Sequence, residues 1–578
     1  MTRDQTYQVG KLLDGANLAG VELEDSISFH QVAFRDADLT DADLQDADLI
    51  DANLRDADLT DANLRDADLT DANLRDADLT DATLWDATLT DANLWGATLT
   101  YGSLLDADLT DATLAFADLT DAYLQDADLT DVDLRDATLT DAIIRNATLT
   151  DAIIRDITLT DADLRDADLT DADLQYATLT DATLTFTDLT DADLQDATLT
   201  DADLRDADLT HAYLQDADFT QADLQDADLT DVDLRDATLS FASLQDADLT
   251  DADLQDADLS DADLQDADLT NADLRGANLT FASLQDADLT DADLQDADLT
   301  DADLRDADLT DAHLQDATLT HADLRYATLT DAVARNGDFF DAKLENAILT
   351  RTDLRGTSLY GAKLYQAQFA NARINSQTDF GTVCSYESKD RPPESMDTSD
   401  DTSVDIAAME GATWVYRRLE GLHEENALAE ETRAYHIRKE EARRELDRRQ
   451  GNCGRYTVAT LNRLLTNHGE SVKRLFVAWT VTIVGAGFLY PFIGGVEDGQ
   501  TIYRIDLVPA APALADLGGA VEALSRGIYF SAITFTTIGY ANVAPHGPWS
   551  RVLVGIESLV GAILIALFVY VLGRRTAR

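Results

Sequence analysis

Ala252-Asp253-Leu254-Gln255-Asp256 runs directly into Ala257-Asp258-Leu259-Ser260-Asp261, and this five-residue unit recurs from about residue 16 to residue 380. Alanine and leucine recur two apart, then three apart. A helix cannot use that spacing. Five steps of about 100° turn about 140°, so successive leucines would spiral around it without forming an apolar stripe. A flat strand cannot use it either, because a period of five breaks strict alternation. The pattern works if Ala and Leu point inward from a short extended segment and the other residues turn a corner. Four such sides close a square coil of about 20 residues, and stacked coils make a solenoid joined by backbone ladders.

The array begins one residue out of phase. Ala16/Leu18 and Val21/Leu23 precede the register that Val32/Phe34 sets, so an extra residue is expected between Leu23 and Phe34. Ile144, Ile154, Phe219, Phe339 and Phe369 replace Leu, and Ala334 leaves a gap that Phe339 is placed to fill. Outside, Thr follows one leucine (Thr60, Thr70, Thr80) and Arg or Gln the next (Arg55, Arg65, Gln125, Gln255). Thr columns on two opposite faces and Arg/Gln columns on the other two are therefore predicted. The unit resembles that of the pentapeptide-repeat family, A-(D/N)-L-x-x, over residues 16–380. The resemblance implies an all-β, right-handed quadrilateral β-helix. About 18 coils at a strand spacing of about 4.8 Å would give a rod roughly 85 Å long.

The formal net charge is −71, with 113 Asp and Glu against 42 Lys and Arg. This predicts a solvated surface suited to very high salt, of the kind halophilic archaea use. Stacked Asp side chains about 4.8 Å apart repel by about 0.9 kcal/mol per pair even in bulk water, and molar salt shortens the screening length to about 3 Å. An acidic face that binds a protein partner or mimics DNA is the alternative, since some relatives in the resembled family mimic duplex DNA. Direct nucleic-acid binding is not expected, because phosphate contacts need a basic footprint. The eight histidines form no ligand-like pair, Cys384 and Cys453 lie far apart without metal-type spacing, and no nucleophile–base arrangement stands out. The reading therefore assigns no enzyme activity, no catalytic residue, no metal site and no bound cofactor.

Residues 1–15 read as an N-terminal cap, with no apolar core of signal-peptide length. Residues 381–404, rich in Ser, Asp, Glu and Pro, read as a flexible linker. Residues 405–450 read as a charged amphipathic helix whose Ala412, Val415, Leu419, Leu422 and Ala429 follow a 3–4 spacing interrupted by Asn426. A subunit-bridging coiled coil and one arm of a hairpin are the other readings of that segment. Residues 451–471 are juxtamembrane.

Residues 475–494 carry no charge and are long enough to span a bilayer, with Lys473-Arg474 before them and Trp479 and Tyr490 toward the ends. Residues 550–572 form a second span, closed by Arg574-Arg575. The basic flanks place both ends, and with them the repeat array, in the cytoplasm. Between the spans, 522–536 is a re-entrant pore-helix candidate, followed by Thr537-Ile538-Gly539-Tyr540-Ala541. That stretch resembles the selectivity filter of the potassium-channel superfamily, T-V-G-Y-G followed by Asp, and the layout over 472–578 resembles two-span potassium channels.

The resemblance implies carbonyls from Thr537, Ile538, Gly539 and Tyr540 around a dehydrated cation, and the Thr537 hydroxyl at the inner site. Thr536 and Asn542 flank the filter, and Gly561 matches the hinge at which inner helices bend. Glu557, the only acid in the second span, is expected to bind permeating cations or to hydrogen-bond behind the pore helix. Ala541 replaces the second filter glycine, at about 1–2 kcal/mol for the backbone it normally adopts, and Asn542 replaces Asp. The expected assembly is a homotetramer in the plasma membrane, a cation channel permeable to K+ whose cytoplasmic rod regulates it or binds a protein. A membrane-tethered scaffold with a vestigial pore is the alternative.

Overall fold

The computed structural model describes residues 13–22, 27–381, 383–387, 401–505, 517–536 and 543–577. They divide into two compact units, Met1–Cys384 and Ser385–Arg578.

In the first unit, parallel bridges join residues 20 apart, as in Asp58↔Asp78 and Asp253↔Asp273. Four short sides therefore complete each coil. Ala and Leu point inward and are almost fully buried, Ala57 and Leu59 among them. The backbone accounting around Leu59 shows why the unit has five residues. Asp58 N–H donates to Ala37 O in the preceding coil, and Leu59 N–H and Asp61 N–H donate to Asp78 O and Thr80 O in the next. Ala62 N–H closes a turn onto Leu59 O at 3.0 Å. The fifth donor, Thr60 N–H, reaches Asp58 Oδ1 at 3.1 Å, and the Thr60 hydroxyl donates to the same oxygen at 2.7 Å. Every amide in the unit is satisfied, as burial against a neighbouring coil demands. The outward Asp is thus a cap for its own corner.

The corner Asp takes positive φ, +56° at Asp61. Asp and Asn tolerate that region far better than bulky residues do. Leu59-Thr60-Asp61-Ala62 is thereby a turn whose third residue is left-handed.

The early phase shift appears as bridges of 21 residues, Asn17↔Asp38 and Glu22↔Asp43, giving way to 20 at Ser28↔Asp48. A second extra residue, which the sequence did not signal, lies near the other end, where Asp353↔Arg373 is followed by Ser358↔Asp379. There Asn375 Oδ1 accepts from the amides of Gly356, Gln377 and Thr378. Where Thr replaces an inward Ala, its hydroxyl finds a carbonyl one coil back: Thr187 to Leu164 O, Thr352 to Leu329 O and Thr357 to Ala334 O. Phe339 is fully buried with its ring beside Gly337, three residues from Ala334.

The second unit has helices α1 (Asp401–Glu425), α2 (Ala429–Arg449), α3 (Cys453–Thr466), α4 (Val472–Ile493), α5 (Leu517–Phe535) and α6 (Pro548–Ala577). Strands β1 (Val496–Asp498), β2 (Thr501–Tyr503) and β3 (Val543–Pro545) form a small antiparallel sheet in the order β2-β1-β3. The single helix expected over 405–450 is instead two. Asn426 is the reason the apolar series broke. It follows the last turn of α1, its side chain donating to Leu422 O, and Ala427 at φ +59° reverses the chain. Ala412, Val415, Leu419 and Leu422 are buried, with Tyr435 and Ala442 of α2 also inside, whereas Ala429 is exposed. Helix α1 starts at Asp401, inside the segment expected to be linker, and Ser385–Glu387 forms a short 3-10 turn with Tyr386 buried. The rest of the linker expectation, residues 388–400, lies outside the described residues.

Candidate functional site: the α4–α5–α6 module

Helices α4 and α6 are long and apolar enough to cross a membrane, with mean hydropathy 1.7 and 2.6. Only 17% and 22% of those stretches are buried within the chain. Phe476, Val477, Val481 and Phe488 of α4 and Ile556, Leu559 and Ile563 of α6 are exposed. Helix α3 is turned the same way. Val458, Leu461 and Leu464 are exposed, while Arg463 pairs with Glu441 at 3.0 Å and Tyr456 lies under Arg444.

Helix α5 packs against both long helices, and small residues set the distance. A Cβ on Gly487 would meet Ile528 Cα at 2.6 Å, and one on Gly527 would run into the Gly487 carbonyl. A Cβ on Gly561 would lie 2.5 Å from Phe535 O, at the last turn of α5. Gly561 is therefore a contact point in this structure. Around these crossings, Tyr490, Phe530, Val496, Val543 and Val554 form one apolar cluster, and Leu475, Phe535, Leu564 and Val571 another.

Glu557 is buried between the helices. Its Oε2 accepts from the Tyr490 hydroxyl of α4 at 2.6 Å, and its Oε1 accepts from the Ser531 hydroxyl of α5. One carboxylate thus ties α4, α5 and α6 together. The sequence marks Tyr490 only as an aromatic residue near a span end and Ser531 not at all, because only the fold brings residues 67 and 26 positions away to Glu557.

Thr536 closes α5 and is exposed, its hydroxyl donating back to Ala532 O. Thr537, Ile538, Gly539, Tyr540, Ala541 and Asn542 lie outside the described residues. The chain resumes at β3, which pairs with β1 directly after α4 (Val496↔Pro545, Asp498↔Val543). Asp498 pairs in turn with Arg526 of α5 at 2.8 Å. The described residues on both sides of 537–542 are therefore anchored, by the Glu557 bonds before and by the sheet after. The sheet also went unforeseen, its strands being three residues each. Among the described residues no group of His, Cys, Asp and Glu could hold a metal ion.

Segments running from 37–76 to 338–375 match the family model for pentapeptide repeats, more than half of the chain. The chain belongs to the pentapeptide-repeat family. Residues 501–578 match the ion channel model, so this pentapeptide-repeat protein carries an ion channel domain after its repeats. Among solved structures, the repeats are similar to HetL, a pentapeptide repeat protein involved in heterocyst differentiation regulation from the cyanobacterium Nostoc sp. strain PCC 7120. Identity is 32% over 40% of this chain and 92% of that one, with a TM-score of 0.26. A pentapeptide repeat protein from the Arabidopsis thaliana thylakoid lumen is 38% identical over 16% of this chain and 66% of that one, with a TM-score of 0.14. QnrB1, a plasmid-mediated fluoroquinolone resistance protein, is 15% identical over 37% and 92%, with a TM-score of 0.23. No curated protein matches the chain.

Proposed function

We propose that four copies of this pentapeptide-repeat protein form a cation channel in the plasma membrane, with K+ as the permeating ion. The observation that carries this reading is what flanks residues 537–542 in the chain. The described chain before them ends at the C-terminus of α5, which packs against both membrane-length helices, and the described chain after them begins at β3, which pairs with β1 directly after α4. The negative end of the α5 dipole suits a cation at that point. A pore lined by main-chain carbonyls needs several copies around one axis, and each copy here has a single such stretch. Thr537, Ile538, Gly539 and Tyr540 supply the carbonyls. Ala541 and Asn542 relax the outermost site, so the preference for K+ over Na+ is weaker than with glycine. Gly561 is both the contact with Phe535 and the point at which α6 bends.

The repeats and both chain ends lie on the cytoplasmic side, where the coils regulate the pore or dock a protein partner. Helix α3 lies at the membrane surface, its exposed leucines toward lipid and Arg463 toward Glu441 of α2. The net charge of −71 suits a cytoplasm rich in salt. No catalytic step and no nucleic-acid contact enter this reading.

Cation flux into liposomes holding the full chain tests it. Flux abolished by Gly539→Val supports the channel. A soluble monomer, or flux indifferent to Gly539→Val, overturns it.

A further inference from the structure

Arg574, in the last turns of α6, reaches back to the α1–α2 hairpin. Its Nη2 lies 2.7 Å from His436 Nδ1 on α2 and 3.8 Å from Glu420 Oε1 on α1, and its Nε lies 3.5 Å from Glu470 Oε1 on the α3–α4 connection. His436 is 5% exposed. The same Nδ1 lies 2.9 Å from Glu420 Oε1, while Nε2 lies 3.2 Å from the His468 carbonyl. Gly469 lets the connection press against α6, since a Cβ there would sit 3.3 Å from the Tyr570 ring and 3.5 Å from Arg574 Nη1.

Donor and acceptor accounting makes these contacts alternatives. A carbonyl only accepts, so His436 Nε2 carries a proton toward His468 O in either charge state. In the neutral ring Nδ1 is then bare and can only accept, and Arg574 donates to it. In the charged ring Nδ1 carries a proton and can only donate, and Glu420 is the acceptor within reach. Arg574 would then face an N–H and a like charge. Both bonds to Nδ1 cannot exist together.

We infer that His436 is a proton-binding site that decides whether the α1–α2 hairpin holds the end of α6. Taking up one proton at Nδ1 exchanges the Arg574 bond for a Glu420 bond and leaves Arg574 to Glu470. Among the described residues, these charged groups face the site. On α1 there is Glu420. On α2 there are Lys439, which donates to Glu420 Oε2 at 2.5 Å, and Glu440, 3.7 Å from Lys439. From the α3–α4 connection come Glu470 and the His468 ring, and from α6 comes Arg574. Burial works to raise the Glu420 carboxyl, but His436 and Lys439 outweigh it and hold the group at about 2, so it remains a carboxylate throughout the histidine range. Burial pushes the His468 ring down, toward its neutral form. Because α6 follows the filter and forms the second span, the exchange would couple proton concentration on the hairpin side to the pore. That consequence rests on the channel reading; the exchange does not.

The test is a spin-label distance in the full chain, reconstituted in lipid vesicles with labelled copies diluted among unlabelled ones. Labels go at Glu430→Cys on α2, which is exposed, and at Gly573→Cys, where a side chain has open space, in a Cys384→Ser, Cys453→Ser background. Between about pH 8 and about pH 5, the range in which histidines titrate, a longer distance should replace a shorter one. The ratio of the two should change by about tenfold per pH unit at most, the slope of one proton. His436→Asn keeps an acceptor beside Arg574 but cannot take the proton, so it should hold the short distance throughout. Glu420→Gln should move the change to lower pH. A wild-type distance that does not respond, or a His436→Asn distance that responds like the wild type, overturns the proposal. Ion flux in the same vesicles reports separately on the pore. Labels that move without any flux would remove the channel reading and keep the proton site.

Discussion

The Tyr490 hydroxyl on α4 donates to Glu557 Oε2 on α6 across 2.6 Å, and the other oxygen of that carboxylate is taken by Ser531 on α5. Three helices that share few polar groups thus meet at one acceptor. Glu557→Ala removes the acceptor of both hydroxyls and leaves that of Ser531 buried without it, at about 1–3 kcal/mol. We expect a lower midpoint of thermal disassembly in detergent, with Glu557→Gln, which keeps an acceptor, losing much less. Equal loss from the two variants would mean that the charge matters and the bonds do not.

Gly561 and Gly555 lie less than two turns apart on α6 but differ in surroundings. A Cβ at Gly561 meets the Phe535 carbonyl, whereas one at Gly555 meets nothing within 4 Å. Gly561→Val should destabilise the module by about 1–3 kcal/mol, as overpacking usually does, and Gly555→Ala should be within about 0.5 kcal/mol of neutral. Melting of the two variants in the same detergent checks the contrast.

Ala541 stands where the resembled filters carry glycine. Bi-ionic reversal potentials with K+ on one side and Na+ on the other should shift toward K+ in Ala541→Gly. No shift would remove the explanation offered for weak selectivity.

The outward carboxylates are held in two ways. Asp133 lies below the ordinary range because Arg135 donates to both its oxygens, and Asp353 is held at about 2, since Arg355 and Arg335 outweigh the burial that would raise it. A carboxyl depressed in the folded state contributes stability above its unfolded value, and that contribution fades as pH falls through the folded one. Asp353→Asn should therefore lower the melting point of the repeat unit at neutral pH, and the difference should vanish between about pH 4 and about pH 2. A difference that persists in acid would show that packing, not charge, is responsible.

Salt should matter to the same unit. The corner aspartates repeat along each edge of the coil stack, and their mutual repulsion is screened within about 3 Å in molar salt. The β signal in circular dichroism should be lost in dilute buffer and recovered on adding KCl. A fully folded repeat unit in dilute buffer would show that the capping bonds of Thr60 and its equivalents already outweigh the repulsion.

The coil was legible in Ala252–Asp261 alone, because each unit meets a near-copy of itself 20 residues on, and an inward Ala and Leu every five residues leave one way to close. The role of the outward Asp was not legible. The acidity predicts only a solvated surface, and the folded backbone shows Asp58 capping Thr60 N–H. The membrane-length helices were legible for a similar reason, since hydropathy is a property of a continuous stretch. Whatever depends on distant residues was left to the tertiary structure: the Asn426 reversal that makes α1 and α2 a hairpin, the three-stranded sheet beside α5, the carboxylate shared by Tyr490 and Ser531, and Arg574 on His436. A local pattern states which face of a segment avoids water. It does not state which other segment will cover that face, because that choice is made by packing and hydrogen bonding among groups that the chain brings together only once it is folded.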